Sequence, residues 1–562
     1  FYNLLDVQGF PRLRIVFASL LLAVLAAAGA ALAQEPTDTK PAEPADVHGR
    51  LLLVLPFENR SGVGNLDWVS EAFPDILNRR LNSAGFLTIG RGDRLYAFDH
   101  LGLPGNLEPT RATAIRIAQM LDADYVIFGH YALSGQAAAG QAGHPTGNGI
   151  QATAEILDVT ALRLGPAITQ SGSMDRLPDM INQLAWQVTR QLDPTYGVEE
   201  QTFVAADRNL PEDAFQNYLQ GLVGDSPAQN IEDLQSAVTA DPQFTPALLA
   251  LGRAFFSDQD YDQAAAALGR VPKDTRDALE AAFYRGLAFF YTGNYKEAED
   301  AFAFVSNQLP LPEVVNNQGV AESRRGKDAA ALFQQAVAAD PRDPDYHFNL
   351  AVALAHRGDT TGAEKELEET LKLRPADQEA QQVAVQLKEP AKPDPDPGHA
   401  VADEQGPLER IKRGYSEAGF RQAAFELEQV QQMRLASLPP AERAAALLKD
   451  GDQFFQRGLV LEAEREYREA LAADGNSALA HAGLAAVRER DGDSAAARQE
   501  AHASIRLQPN VPAYLVLARL DLQANQLSAA AGDVGEALRV EPGNANARGM
   551  KLALEQRGQT VP

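Results

Sequence analysis

The sequence predicts an α+β protein in which a small α/β domain precedes an all-α superhelical solenoid divided into two blocks. The strand evidence is the run LLLVLPF at 51–57, whose continuous apolar character is typical of a strand buried on both faces. The helix evidence lies in 278–310, where apolar residues recur at helical spacing on both sides of Gly293 and Asn294. That pattern indicates two helices joined by a tight turn. With 562 residues, the chain is long enough for several domains.

The α/β domain is predicted over residues 50–195, where strand and helix patterns alternate. Predicted strands lie at 51–57, 86–90, 122–133, 150–159 and 167–174, and predicted helices at 67–84, 109–122 and 176–192. The last two strands alternate apolar and polar residues in places, which suits a hairpin at a sheet edge. A domain of this length has an ordinary size for a single hydrophobic core.

The paired-helix unit recurs with a period of 34 residues. The residues that repeat at this spacing are Gly252, Ala264 and Leu268, followed by Gly286, Ala298 and Phe302. Small residues at the first two positions let two helices approach closely, and the large third residue fills the space beside them. Matching residues return in DGDQFFQRGLVLEAEREYREAL at 450–471, and seven units in all are in phase. The period and the pattern resemble tetratricopeptide repeats. The resemblance implies arrays that mostly bind other proteins and rarely catalyse.

A second resemblance covers roughly residues 50–195. It is carried by VLPFENRSG at 54–62, by Leu81 and Gly85 near the end of the following helix, and by AQMLDADYVIFGHY at 118–131. These stretches are similar to the amino-terminal domain of TolB and to related CsgG-like domains. The resemblance implies a cell-envelope binding module rather than an enzyme. The sequence shows no sign of TolB's carboxy-terminal propeller, so TolB's own role does not carry over.

The amino-terminal residues predict export. Arg12 and Arg14 precede an apolar run at 15–33 that ends in Ala-Leu-Ala, which is the arrangement of a secretory signal peptide. The alternative is an uncleaved membrane anchor, because the run is nearly long enough to span a bilayer. We therefore expect a signal peptide at 1–33, a Pro-rich linker at 34–49, and a periplasmic or secreted protein.

The repeats divide at a second linker. Block one is predicted at 211–388, a Pro/Asp-rich linker at 389–406, and block two at 407–556 with a final capping helix. The first unit of block two is irregular and centres on Tyr415 and Phe425. The two blocks either stack as one superhelix or hinge at the linker, and the prolines favour a hinge because they interrupt helix stacking.

The composition and the motifs argue against several kinds of chemistry. The formal charge is 50 − 76 = −26, so the surface should repel nucleic acid and anionic lipid. The chain has no cysteine, which removes disulfides and zinc–thiolate sites. The Gly-rich stretch 135–149 lacks the Lys-Ser or Lys-Thr of a phosphate-binding loop, and the nine histidines show no metal-ligand spacing. We predict a protein that is not an enzyme and has no cofactor and no metal.

The candidate functional surface is the groove of block one. In tetratricopeptide proteins the first helix of each unit lines a concave surface, and exposed aromatic and arginine side chains dominate protein interfaces. By register, the partner-binding residues are Arg253, Phe256, Phe283, Phe290, Tyr291, Asn316, Arg324 and Phe348. The alternative is that the aromatics pack between adjacent repeats. The sequence thus predicts an exported cell-envelope adaptor that binds protein or peptide partners. A small-ligand sensor in residues 50–195 is the alternative function.

Overall fold

The computed structural model of the chain describes residues 51–103, 110–134, 149–205, 210–224, 226–275, 277–388 and 408–562. The predicted signal peptide and both predicted linkers lie outside these residues. The described chain is mostly helical, with a small sheet region near its amino-terminal end and a helical repeat array after it. None of the helices in these ranges has both the length and the apolar character needed to cross a bilayer.

One sheet organises the first domain. Its strands are β1 (Leu51–Val54), β2 (Glu58–Asn59), β3 (Leu87–Thr88), β4 (Tyr125–Ser134), β5 (Gly149–Asp158), β6 (Arg163–Leu164) and β7 (Ile168–Ser173). The order is β3-β1-β4-β5-β6, with β2 beside β4 and β7 beside β5. The pairs of β1 with β3 and with β4 are parallel, whereas β5 is antiparallel to all its neighbours. The sheet is therefore mixed, with its antiparallel half formed by the later strands.

The run at 51–57 is buried on both faces of this sheet. Leu52 and Val54 belong to one hydrophobic cluster, and Leu53 and Leu55 belong to a second cluster on the opposite face. The helices Val69–Ser83 and Leu177–Leu192 cover the first face, and Arg91–His100 and Arg111–Met120 cover the second. Alternating side chains thus enter different cores, which explains why the run has no polar position.

The helix Arg91–His100 was missed by the sequence prediction, and its packing explains why. It buries only two apolar side chains, Ala97 and Phe98, together with Arg94. The Arg94 guanidinium is buried against the Glu71 carboxylate and also donates to the Val54 carbonyl oxygen at 3.3 Å. A helix anchored by a buried ion pair gives little of the apolar periodicity on which the prediction depended.

Block one is a series of antiparallel helix pairs. Its helices are Glu212–Val223, Pro227–Ala240, Thr245–Ser257, Tyr261–Leu268, Ala278–Tyr291, Tyr295–Ser306, Pro312–Arg324, Ala330–Ala339, Pro344–His356, Thr360–Leu373 and Gln378–Lys388. The close approach expected at the repeating small residue is present at Gly286. A Cβ there would lie 2.8 Å from the Phe302 ring. A contact this short would force the Phe302 ring to move, so a residue larger than glycine at position 286 would disturb the crossing of this helix pair.

Block two continues the same architecture after a long first helix. Its helices are Glu417–Ala436, Pro440–Gln456, Val460–Ala473, Ala478–Arg490, Ser494–Leu507, Val511–Gln523, Leu527–Val540 and Ala545–Gln556. In the final helix Leu554 is buried, and it shares a cluster with Ala530 and Val534 of the preceding helix. The last helix therefore covers apolar residues of its neighbour.

Residues 408–416 depart from the predicted course of block two. They form neither helix nor strand, and the first helix begins only at Glu417. Phe425 lies in that helix, but Tyr415 lies before it against Phe283 of block one. The expectation that Tyr415 belongs to the first unit of block two is therefore wrong. By Arg421 the chain has reached the α/β domain, where the guanidinium pairs with Asp93 at 2.8 Å. The second block starts beside the first domain because residues 408–416 run back along block one.

A peptide groove in block one occupied by the chain itself

Residues 408–416, which we call the groove segment, are held through their backbone by two asparagines of block one. Asn349 accepts from the Arg410 amide at 2.7 Å and donates to the Arg410 carbonyl at 2.8 Å. One repeat earlier, Asn317 does the same for Lys412, at 2.8 and 2.7 Å. Both asparagine side chains are fully buried. Each amide thus satisfies one donor and one acceptor of the segment, and alternate residues meet successive repeats.

Two further bonds extend this backbone contact. Asn316 donates to the Arg410 carbonyl at 3.0 Å and accepts from the Asn349 amide at 2.8 Å. Near the other end of the segment, the Ser416 amide donates to a Glu313 oxygen at 3.0 Å. The asparagines and Glu313 all lie on the first helix of a pair, so the first helices supply the surface that faces the segment.

The side chain of Arg410 enters an acidic corner. Its two terminal nitrogens pair with both oxygens of Asp377, at 2.7 and 2.8 Å. They also reach Asp345 at 3.1 Å and Glu379 at 2.9 Å. The guanidinium carbon lies 3.7 Å above the centre of the Phe348 ring. A planar guanidinium satisfies both contacts at once, a fork of carboxylates in its plane and an aromatic face beneath it.

Lys412 occupies the next acidic position. Its ammonium lies 2.7 Å from Asp343 and 2.7 Å from Asp345, and 5.1 Å from the centre of the Tyr346 ring. Asp345 therefore bridges Arg410 and Lys412. The groove supplies carboxylates at the places where alternate side chains of the segment are cationic.

The pKa values of these carboxylates report the same pairing. Burial alone would raise the pKa of Asp345, but the Lys412 ammonium and the Arg374 guanidinium hold it well below its usual range. Burial also acts to raise the pKa of Asp377, and the bonds from Arg410 and from the Ala380 amide lower it on balance. Both aspartates are therefore ionised at neutral pH, and their negative charge is balanced in part by Arg374 of block one and in part by Arg410 and Lys412 of the groove segment.

The remaining part of the segment meets aromatic residues. Arg413 lies over the Tyr291 ring at 5.4 Å and over the Phe256 ring at 6.0 Å. Tyr415 meets Phe283 edge to face, with ring centres 5.2 Å apart. These contacts are cation–π and quadrupolar, and each contributes roughly 0.5–1.5 kcal/mol beyond burial.

Six of the eight predicted groove residues contact the segment. Phe256, Phe283, Tyr291 and Phe348 do so through their rings, Asn316 through its amide, and Arg324 through Glu409. Phe290 packs, with Ile411, against one buried cluster. Arg253 instead pairs with Glu280 at 2.7 Å and lies 5.2 Å from the Tyr284 ring. Several aromatics also pack between repeats, since the Phe256 ring lies 6.1 Å from the Tyr291 ring. Contact with a groove occupant and packing between adjacent repeats are therefore compatible roles for these aromatic residues.

Sequence reasoning missed the residues that do most of the holding. These are Asn317 and Asn349, together with Asp343, Asp345, Asp377 and Glu379. A usable signal existed, because both asparagines stand two positions before the small residue of their repeat, Gly319 or Ala351. A second signal was the basic stretch 410–413, which is unusual in a chain of net charge −26.

A second contact joins block two to the residues that directly follow the first domain, and we call it the seam (residues 199–203 with 464–491). Arg488 bonds Glu464 at 2.9 Å, and the Thr202 hydroxyl donates to Asp491 at 2.6 Å. The Glu199 amide donates to Glu464 at 3.1 Å. Arg488 and Glu464 are buried, whereas Glu199, which pairs with Arg488 at 3.2 Å, is exposed, so the network is buried at its centre and reaches solvent at one edge.

A cavity of about 390 Å³ lies next to the seam. Asn82 and Gly85 of the first domain contribute to its wall, and the rest comes from residues 431–469. Glu466 on this wall is nearly buried, and burial raises the pKa of its carboxyl to about 7, opposed by Arg465 and reinforced by Glu469. A carboxyl with this pKa changes charge near neutral pH.

The comparisons with known proteins concern the repeats. Two family models described as tetratricopeptide repeat match residues 226–288 and 321–378. Among solved structures, YrrB, described as a TPR protein with an unusual peptide-binding site, is 15% identical. It covers 33% of this chain and 97% of its own, with a TM-score of 0.29. MamA 41-end from Desulfovibrio magneticus RS-1 is 19% identical and covers 30% of this chain and 99% of its own, with a TM-score of 0.28. No curated protein matches the chain. Block one thus carries tetratricopeptide repeats, as the 34-residue period predicted.

Proposed function

We propose that this protein is a non-enzymatic scaffold whose block-one groove holds a non-helical segment of a partner protein. The observation that carries the proposal is the pair of buried asparagines, Asn317 and Asn349, that bond the backbone of alternate residues of the groove segment. These hydrogen bonds are made to backbone atoms and not to side chains, so they can form with any segment whose backbone follows the same path. Tetratricopeptide repeats in general bind protein or peptide partners, which supports the same conclusion.

The cellular setting belongs to the proposal as well. We infer that residues 1–33 direct export and that the α/β domain, through its resemblance to TolB and CsgG-like domains, docks on another envelope component. A fusion of residues 1–49 to a reporter enzyme that is active only outside the cytoplasm should be active. An inactive fusion, or full chain recovered only from the cytoplasmic fraction, would contradict this setting.

The alternative function, a small-ligand sensor in residues 50–195, requires an apolar pocket with convergent polar groups in that domain. The cavity that touches the domain is formed largely by block two, and carboxylates such as Glu462 and Glu466 contribute to its wall. The observations on the groove favour the scaffold over the sensor.

The scaffold is tested by site-specific photo-cross-linking in the full chain. Benzoylphenylalanine in place of Arg253, whose side chain is partly exposed among the groove residues, should give adducts with one protein through one of its segments. The matched control places the same group at Leu373, an exposed position on a second helix of block one.

The expected result has two parts. Adducts should form at position 253 and not at 373, and Asn317→Ala with Asn349→Ala should abolish them while circular dichroism shows an intact fold. If position 253 gives no adduct beyond that at 373, even when the groove segment is weakened by Arg410→Ala with Lys412→Ala, the scaffold proposal is wrong.

A further inference from the structure

The groove segment differs from the rest of the chain in its charge, and this difference indicates the kind of partner. Residues 410–413 carry three cationic side chains in four positions, in a chain of net charge −26. We propose that the block-one groove takes, from a separate protein, a non-helical basic segment of the pattern Arg–aliphatic–Lys–Arg–x–Tyr, and that residues 408–416 are its displaceable internal competitor. This inference rests on the proposed scaffold function and specifies the partner's chemistry.

The first argument is the charge that the groove would keep without an occupant. Arg410 and Lys412 pair with four carboxylates, those of Asp343, Asp345, Asp377 and Glu379. Block one itself contributes the cation Arg374 to these four, at 2.7 Å from Asp345 and 3.5 Å from Asp377. Asp377 is nearly buried, so it keeps little water with which to replace a lost cation. An anionic or neutral occupant would leave these four carboxylates with Arg374 as their cation, an excess of negative charge that is unfavourable in a partly buried site. The groove therefore selects for cations at alternate positions.

The second argument is that side-chain and backbone recognition are separate. Asn317 and Asn349 bond only the main chain of residues 410 and 412, so they would hold any segment in this path equally well. Specificity then depends on the acidic corner and on the aromatic pair Phe256 and Tyr291 under Arg413. Both features select by charge and shape, and neither is restricted to this chain's own residues.

The third argument is that most of the segment lies at or near the surface, with Glu409 as its one buried residue. Leu408, Arg413 and Gly414 are exposed, and Ile411 and Tyr415 are only half-buried. Arg488 in the seam has 2% of its side-chain surface exposed, whereas Arg410 has 17% exposed. The ends of the segment are exposed and its central arginine is partly accessible to solvent. A competing segment can therefore displace it progressively, starting from one end.

Covalent attachment sets how strongly the internal segment competes. A tethered ligand acts at an effective concentration on the order of mM. A separate peptide of the same sequence should therefore bind the wild-type chain with an apparent Kd on the order of mM, even where its intrinsic Kd is far lower. Weakening the internal segment should reveal the intrinsic affinity, and a natural partner would have to bind better than the internal copy.

The test uses the full chain and a fluorescein-labelled synthetic peptide of residues 408–416, with binding followed by fluorescence anisotropy. Arg410→Ala with Lys412→Ala weakens the internal segment and leaves every groove residue in place. We expect this variant to bind the peptide at least about tenfold more tightly than the wild-type chain, since each charge-assisted contact it loses favours release. Adding Asn317→Ala and Asn349→Ala to it should abolish binding.

A charge-reversed peptide, with Glu at the positions of Arg410 and Lys412, is the specificity control and should not bind. The inference is overturned if the weakened variant binds no more tightly than wild type, or if the charge-reversed peptide binds equally well. Persisting cross-links at position 253 would then leave the scaffold standing without this partner class. If the double variant does not fold, Lys412→Ala alone replaces it, because it removes only the cation between Asp343 and Asp345.

A second copy of the chain is a different occupant that the experiment also detects. If the wild-type chain sediments as a dimer that the peptide dissociates, then the groove is filled by another copy's residues 408–416. That result would contradict the proposal of a separate basic partner.

Discussion

The groove and the seam both hold a short stretch of the chain with an arginine on carboxylates, yet they are built for different purposes. In the seam, Arg488 and Glu464 have 2% and 0% of their side-chain surface exposed, and the buried Thr202 hydroxyl bonds Asp491, although Glu199 at the edge of the network is 52% exposed. In the groove, Arg410 is 17% exposed and one of its partners, Glu379, is 47% exposed. In the groove the asparagine side chains bond backbone atoms of the segment, whereas most bonds of the seam join two side chains. The seam is therefore organised as a permanent domain contact, and the groove as a site whose occupant can be replaced.

The largest expected effect breaks the seam. Arg488→Ala leaves Asp491 buried without this cation and leaves Glu464 paired only with Arg468, and breaking such a buried pair costs about 3–5 kcal/mol. Arg410→Ala should cost less, about 1–3 kcal/mol, because Lys412 still pairs with Asp345 and water reaches Glu379. Urea unfolding followed by tryptophan fluorescence measures both, since the Trp186 ring lies 5.4 Å from Phe203 at the seam.

The double variant Arg488→Met with Glu464→Gln is the control, and it should recover part of the loss because it removes the charges as a pair. If Arg488→Ala and Arg410→Ala cost the same, then the distinction between permanent and replaceable contacts is wrong.

The next largest effect is the pH dependence of stability caused by Glu466, which lies in the wall of the cavity next to the seam. Burial raises the pKa of Glu466 from 4.5 to about 7, against the lowering effect of Arg465. The folded chain therefore binds the proton more tightly than the unfolded chain does, so this contribution to stability is complete below pH 4.5 and is lost as pH rises through 7. We expect a loss of about 3 kcal/mol between pH 4.5 and 7.5.

The variant Glu466→Gln should flatten this part of the stability profile and leave peptide binding in the groove unchanged. The neighbouring acids Glu469 and Asp450 also raise the Glu466 pKa, so Glu469→Gln should shift the profile slightly toward lower pH. A wild-type profile that is already flat between these pH values would exclude the assignment.

The repeats and most of the sheet could be predicted because each leaves a recognisable pattern in the sequence. The pattern is periodic in the repeats and continuously apolar in the first strand. Gly252 and Leu268 are followed 34 residues later by Gly286 and Phe302, since a small residue and a large one must meet where each of these helix pairs crosses. The run at 51–57 is apolar because both its faces are covered. The helix Arg91–His100 escaped because a buried ion pair replaces its apolar stripe.

The helical register indicated the helix faces on which residues 408–416 lie, but it did not indicate that this chain's own segment lies there. Periodicity identifies which helix faces lie together, so it predicted that residues such as Phe283 and Asn316 share one surface. It carries no information on which distant stretch lies on that face, and Tyr415 is separated from Phe283 by more than a hundred residues of sequence. The clue was electrostatic: a basic stretch in an acidic chain needs an acidic surface, and Asp343, Asp345 and Asp377 provide it.

The most direct test is amide hydrogen exchange at Arg410 and Lys412 in the full chain, compared with Asn317→Ala and Asn349→Ala. Both amides are bonded to the asparagine oxygens, so wild type should protect them and the variant should lose that protection, while the Glu199 amide at the seam stays protected in both. Exchange of the wild-type amides at the rate of an unstructured peptide would contradict the account, because the groove would then hold nothing.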